Sequence, residues 1–370
     1  MLLRACLCEG EEALSAWREW SSRVDIELLD WDSQRLLPLL YTKLAAQNIR
    51  HPWMGRMKGC YRYTWVRNTS LLATASEVVK QLRDVAGNDQ ILLKGGAVAC
   101  AYLPNIGLRA MEDFDLLIKL EVASQVWRRL QANGWKPLQV RSERSFPRYL
   151  RCTKSIGFLR NREKLDLHWG LLDDLRGPAV HETFWQASGE TQLPDGTTVK
   201  ILHLADQLFH TCLHGVRADQ GPNIRWITDA ITVIPKMREE DWARLQSVAK
   251  ERRYTLRIGK ALQFLQEHFG DTVSIPRAVV RQLSEQPHSS LEQKEYERRV
   301  NPELGRKRGA LTSYREFLLH SQPPRISEGG YTADYIRFLM TRWNLSNPMQ
   351  VPVMLARRAV RRIWRKLGKV

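Results

Sequence analysis

Residues 92–118 read LLKGGAVACAYLPNIGLRAMEDFDLLI. A short apolar run ends in Gly95-Gly96, AVACAYL then suits a helix, and EDFDLLIKL, running on to Leu120, alternates as a strand does. The implied order is strand, turn, helix, strand. Successive side chains of a strand point to opposite faces, so Asp113 and Asp115 share one face, about 6–7 Å apart, while Phe114 and Leu116 take the other. Two carboxylates held that close repel unless a cation stands between them or one is protonated. Oxygen ligands of this kind select a hard divalent ion, Mg2+ or Mn2+.

Further along, KLDLHW at residues 164–169 repeats the pattern, with Asp166 and His168 on one face and Leu165, Leu167 and Trp169 on the other. If this strand lies beside the first, Asp166 becomes a third ligand. His168 then either orients a carboxylate or joins the site itself. Three carboxylates on neighbouring strands suit a pair of ions about 4 Å apart that grip a phosphoryl group from both sides. A strand that ends in Gly95-Gly96 and opens into a helix exposes backbone N–H groups at the positive helix end, where a triphosphate approaches without Cβ obstruction. Arg109 offers a planar fork of donors for a β or γ phosphate. The expected nucleotide-binding set is therefore Lys94, Gly95, Gly96, Arg109 and His168.

These segments, together with ADQLFHTCLHG, IRWITDAITVI and DWARL further on, make a resemblance specific. The chain resembles the bacterial family usually labelled uncharacterised nucleotidyltransferases, within the DNA polymerase beta-like nucleotidyltransferase superfamily, and the likeness runs from about residue 12 to the tail. The resemblance implies that Gly95 and Gly96 form the phosphate-binding turn, that Asp113 and Asp115 are the paired metal ligands and that Asp166 is the third carboxylate. It implies a metal-dependent enzyme that moves a nucleoside monophosphate from an NTP to an acceptor hydroxyl or phosphate and releases pyrophosphate. A small metabolite, sugar phosphate or peptide is the first acceptor class, and an RNA or tRNA end, as in nucleotidyltransferase toxins, is the second. A catalytically silent scaffold is the reading from another class.

The bulk sequence bounds these readings. With 370 residues, 43% of them hydrophobic, the chain can bury sizeable cores. Six scattered cysteines suggest neither a zinc ribbon nor a disulfide framework, and a reducing cytoplasm fits them. No signal peptide or membrane span is legible, so the chain is expected in the cytoplasm, with peripheral contact to the inner membrane face as an option. The net charge is +17, of which residues 341–370 carry +8 without one Asp or Glu. The charge thus marks a basic tail more than a basic body. That tail, LARRAVRRIWRKLGKV, reads as an amphipathic helix able to pack on the body, lie on anionic lipid or grip nucleic-acid phosphates.

Hydrophobic periodicity predicts an α+β chain, a small mixed sheet flanked by helical regions. The expected divisions are a helical region at 1–85, the nucleotidyltransferase core at 86–202, a helical domain at 203–283, a polar connector at 284–312 and C-terminal helices at 313–370. SFPRYLRCTKSIGFLRN suggests one or two strands, and LPDGTTVKILH a hairpin turning at Asp-Gly. His210 and His214, four apart, share a helix face and read as packing or substrate-facing groups. Arg225 and Asp229, also four apart, read as a helix ion pair or as part of the acceptor cleft.

Overall fold

The computed structural model of the chain describes residues 1–138, 146–150, 153–172, 182–216, 224–301 and 347–366, with seven single positions between 333 and 345. Seven strands form one sheet: β1 (Gln90–Leu93), β2 (Phe114–Ile118), β3 (Lys136–Pro137), β4 (Ser155–Arg160), β5 (Glu163–His168), β6 (Gly189–Gln192) and β7 (Thr198–Ile201). Their order is β3-β4-β5-β2-β1-β7-β6. The three central strands carry both hands of pairing, since β1 runs antiparallel to β2 while β2 runs parallel to β5. The hairpin expected around Asp195-Gly196 is present as β6–β7, with Gly196 at φ +83°, a left-handed turn position that glycine adopts at no steric cost. Phe146–Leu150 forms a short helix ahead of β4, where strand had been the expectation.

Helices cover both faces. In chain order they are α1 (Leu2–Leu7), α2 (Gly10–Ser21), α3 (Leu37–Ala46), α4 (Met54–Gln81), α5 (Lys94–Ala101), α6 (Ala123–Ala132), α7 (Leu204–Gly215), α8 (Arg225–Val233), α9 (Glu239–Glu251), α10 (Thr255–Phe269), α11 (Arg277–Glu285), α12 (Ser290–Val300) and α13 (Gln350–Lys366), with shorter turns between. One core joins Leu92, Phe114, Leu116 and Ile118 of the sheet to the second half of α4 and to α6. The other joins Ile91, Leu93 and Leu117 to α1–α3 and α7–α11. Alternation along β1 and β2 thus sends odd and even residues into different cores, which is why β2 is buried along its whole length although it carries an aspartate. The N-terminal helices and those after residue 203 meet on one face of the sheet, the face that Asp115 shares with Leu117.

The segment read as a polar connector contains a helix. Ser289 caps α12 by accepting from the Glu292 N–H, and the Glu292 carboxylate accepts in turn from the Leu256 N–H and the Thr255 hydroxyl at the start of α10. Glu295 pairs with Arg257 at 3.1 Å, both side chains buried. Charges expected in solvent are spent on a buried seam. The remainder of that segment, 302–312, lies outside the described residues. In the tail, α13 buries Val351 against Leu339 and Met340 and exposes Val353 and Val360. Among the described residues no helix is long and apolar enough to cross a membrane.

Candidate active site

The site is assembled by strand pairing. In the parallel β2–β5 ladder Asp115 is the direct partner of Asp166, and Leu117 is the partner of His168. Two residues fifty-one positions apart therefore stand side by side with their carboxylates on one face. His168 Nε2 lies 3.0 Å from Asp115 Oδ1 and 3.1 Å from Asp166 Oδ2. Ligand atoms of Asp115, Asp166 and His168 all fall within 4.8 Å of one another, a donor set able to hold a metal ion. In this structure the cation in that position is a lysine: the Lys94 ammonium bonds Asp115 and lies 3.9 Å from Asp166 Oδ2. Two carboxylates converging on one positive charge, with an imidazole beside them, fit a divalent ion chemically.

Lys94 reaches this point from an unusual backbone. It follows β1 directly and sits at φ +47°, a left-handed conformation that costs a non-glycine residue about 1–2 kcal/mol. It also starts α5, whose N-cap residue, Leu93, offers no side-chain hydrogen bond to the first turn. Among the described residues the opening N–H groups of α5 have no side-chain acceptor, and they stand beside a cluster of carboxylates and an ammonium, a positive helix end of the kind that takes anions.

The electrostatics follow from burial and close pairing. Burial works against ionised Asp115, yet Lys94 and His168 outweigh it and hold its carboxyl well below the usual range. Asp166 is also lowered: burial opposes this, and His168 and Lys94 prevail. His168 loses to burial but gains more from Asp166 and Asp115, so its imidazole is pushed up and favours the protonated form. Lys94 is raised too, against its own desolvation, by Asp115 and Asp166. Asp113 moves the other way, pushed up by burial and by Asp115.

Asp113 does not share the arrangement expected for a paired ligand. It lies one residue ahead of β2, exposed at the rim, and the donor cluster is Asp115, Asp166 and His168. Gly95 and Gly96 also serve a purpose other than open access for phosphate. A Cβ at Gly95 would collide with the Arg109 guanidinium, and one at Gly96 would stand 2.9 Å from the Leu92 side chain. The space left by both missing side chains is filled by the protein itself. Arg109, expected on a phosphate, gives Nε and Nη2 to Asp229 at 2.7 and 2.8 Å, tying the loop before β2 to α8. That bond takes Asp229 away from the helix ion pair expected with Arg225. His210 and His214 pack edge to face, ring centroids 4.5 Å apart, outside the donor cluster.

Lys94, expected with the nucleotide, lies among the carboxylates. A lysine between a strand and a glycine pair was the available signal. Arg35, which pairs with Glu112 beside the exposed Trp31, had no signal in its own segment. It reaches the rim only through the packing of the N-terminal helices.

A mixed sheet that pairs Asp115 with Asp166 beside an uncapped helix start defines a nucleotidyltransferase-like protein. The family described as uncharacterised nucleotidyltransferase matches residues 28–270, and the chain belongs to that family. Among solved structures it is similar to an antigenic nucleotidyltransferase-like protein from Paracoccidioides brasiliensis, at 17% identity and a TM-score of 0.36, over 57% of this chain and 93% of that one. No curated protein matches the chain significantly.

Proposed function

We propose that the chain is a metal-dependent nucleotidyltransferase that moves a nucleoside monophosphate from an NTP to an acceptor hydroxyl or phosphate. The observation that carries this reading is the convergence of Asp115, Asp166 and His168 on one cation position beside the start of α5. Asp115 and Asp166 would hold a divalent ion, Mg2+ or Mn2+, with His168 as ligand or orienting group. When bound, that ion supplies charge stabilisation at the transferring phosphoryl group. With such an ion held by Asp115 and Asp166, Lys94 would be free to meet a phosphate oxygen, and the α5 N–H groups would meet the same anion. Asp113, at the rim with its carboxyl raised, would take the acceptor's proton. The acceptor oxygen forms a bond to the α-phosphorus, the bond to the bridging oxygen breaks, and pyrophosphate leaves with the electron pair.

The acceptor class we favour is a small metabolite, sugar phosphate or peptide, because the charge of the body outside the tail is modest. The test is incubation of the full chain with each α-labelled NTP, Mg2+ or Mn2+ and a cell extract, followed by mass spectrometry for a nucleotide increment. Transfer that disappears in Asp115→Asn and Asp166→Asn is expected. Failure of all four NTPs to bind or turn over sinks the proposal, and label on RNA with steep loss at rising salt replaces the small-molecule acceptor by an RNA end.

A further inference from the structure

The rim of the carboxylate site gathers three guanidinium groups from distant parts of the chain. Arg109 is fixed on Asp229 of α8, and Arg225 stands one turn away on the same helix face. Arg35 is held by Glu112, three residues after Arg109, and lies 3.8 Å from Asp32 Oδ1. Two of the three therefore have carboxylate partners. Arg225 has none: among the described residues its guanidinium makes no hydrogen bond or ion pair, and its Nε is enclosed without a partner. The carboxylate four residues on, Asp229, is already bidentate to Arg109.

Leaving a half-buried guanidinium unpaired beside two like charges is costly, because desolvation and repulsion act together. Both effects are visible in the group itself: burial, then Arg109, press the Arg225 pKa down. Arg35 is pushed down to about 10, by burial first and by Arg225 next. An anion completing the cluster would relieve both. Arginine at such a point favours phosphate, whose oxygens match its fork of donors. Asp113 acts electrostatically on all three arginines, so the cluster borders the carboxylate site.

We propose that Arg225, flanked by Arg35 and Arg109, anchors a phosphate subsite at the rim of the carboxylate cleft, filled by a phosphate group of a substrate. The assignment rests on the reading of the cleft as one that handles phosphorylated substrates. It deepens that reading by moving the arginine contact from Arg109, which is spent on Asp229, to Arg225. The phosphate comes either from the nucleotide's β and γ positions or from the acceptor.

Binding of inorganic pyrophosphate and of ATP to the full chain, measured by titration calorimetry for wild type, Arg225→Met and Arg225→Lys, tests this, with urea unfolding run on each. Arg225→Met is expected to unfold at the same or higher urea and to bind pyrophosphate about tenfold or more weakly, with partial recovery in Arg225→Lys. Equal weakening toward ATP assigns the subsite to the nucleotide, and unchanged ATP affinity assigns it to a phosphate on the acceptor. No pyrophosphate binding by wild type, unchanged pyrophosphate binding by Arg225→Met, or a loss of stability in that variant without loss of binding overturns the subsite. Arg225-dependent pyrophosphate binding in a chain that turns over no NTP would sink the transfer reading alone.

Discussion

Asp115 and Asp113, one residue apart, carry opposite burdens. Asp115 is buried between an ammonium and an imidazole and is the group whose ionisation those two neighbours require. Breaking a buried pair by removing one charge typically costs about 3–5 kcal/mol, because the partner charge stays behind uncompensated. Asp115→Asn is therefore expected to lower the urea midpoint markedly as well as to end turnover. Asp113, at the rim and pushed up by burial first and by repulsion from Asp115 next, should lose little stability or gain some on becoming Asn. Equal urea midpoints for the two variants would show that Lys94 and His168 do not depend on Asp115. The D-x-D spacing was legible in the sequence and this division of roles was not. The period of a strand predicts a shared face, but whether residue 113 lies inside the strand depends on where pairing with β1 and β5 begins.

Helix α7 carries a buried histidine that the site does not use. Burial, followed by the field of Lys94 and Lys154, holds His210 well below its ordinary value of 6.5, and its Nε2 has no hydrogen-bond partner among the described residues. A depressed histidine binds fewer protons folded than unfolded as pH falls. Its contribution to stability is thus complete above about pH 6.5 and is lost progressively below it. His210→Phe, which keeps the edge-to-face contact with His214, should flatten the fall in urea midpoint between pH 7.5 and 5. An unchanged slope would place the acid sensitivity elsewhere. The i, i+4 spacing correctly set His210 and His214 on one helix face, where their rings pack edge to face. In α12, by contrast, composition misled: glutamates read as solvated because their partners, Thr255, Leu256 and Arg257, lie more than thirty residues away.

At the scale of the whole molecule, one hydrophobic core takes residues from α1–α3, from the sheet and from α7–α11. Segments before residue 58 and after residue 201 thus bury the same sheet face, and neither has that core without the other. The segment 86–202 on its own would expose Ile91, Leu93 and Leu117, along with the face that bears Asp115. We expect it to be unfolded or aggregated by circular dichroism and sedimentation, while the full chain unfolds residues 1–57 and 203–283 in one transition. A soluble, folded 86–202 segment that binds metal would overturn this. The expectation of helical regions at both ends was sound, but their shared core was not visible in a linear reading.

What the sequence by itself determined was local. The run from β1 through Gly95-Gly96 to β2, the alternation that put Asp166 and His168 on one face and the Asp-Gly hairpin all follow from periods of two and 3.6 and from turn chemistry. What only tertiary structure decided was partnership across distance: Asp115 beside Asp166, Lys94 in the cation position, Arg109 on Asp229, and Arg225 Nε enclosed without a hydrogen-bond partner among the described residues. Chain period fixes where a side chain points, but the charge it meets depends on which strands and helices pack together, and that is set by burial of the whole chain.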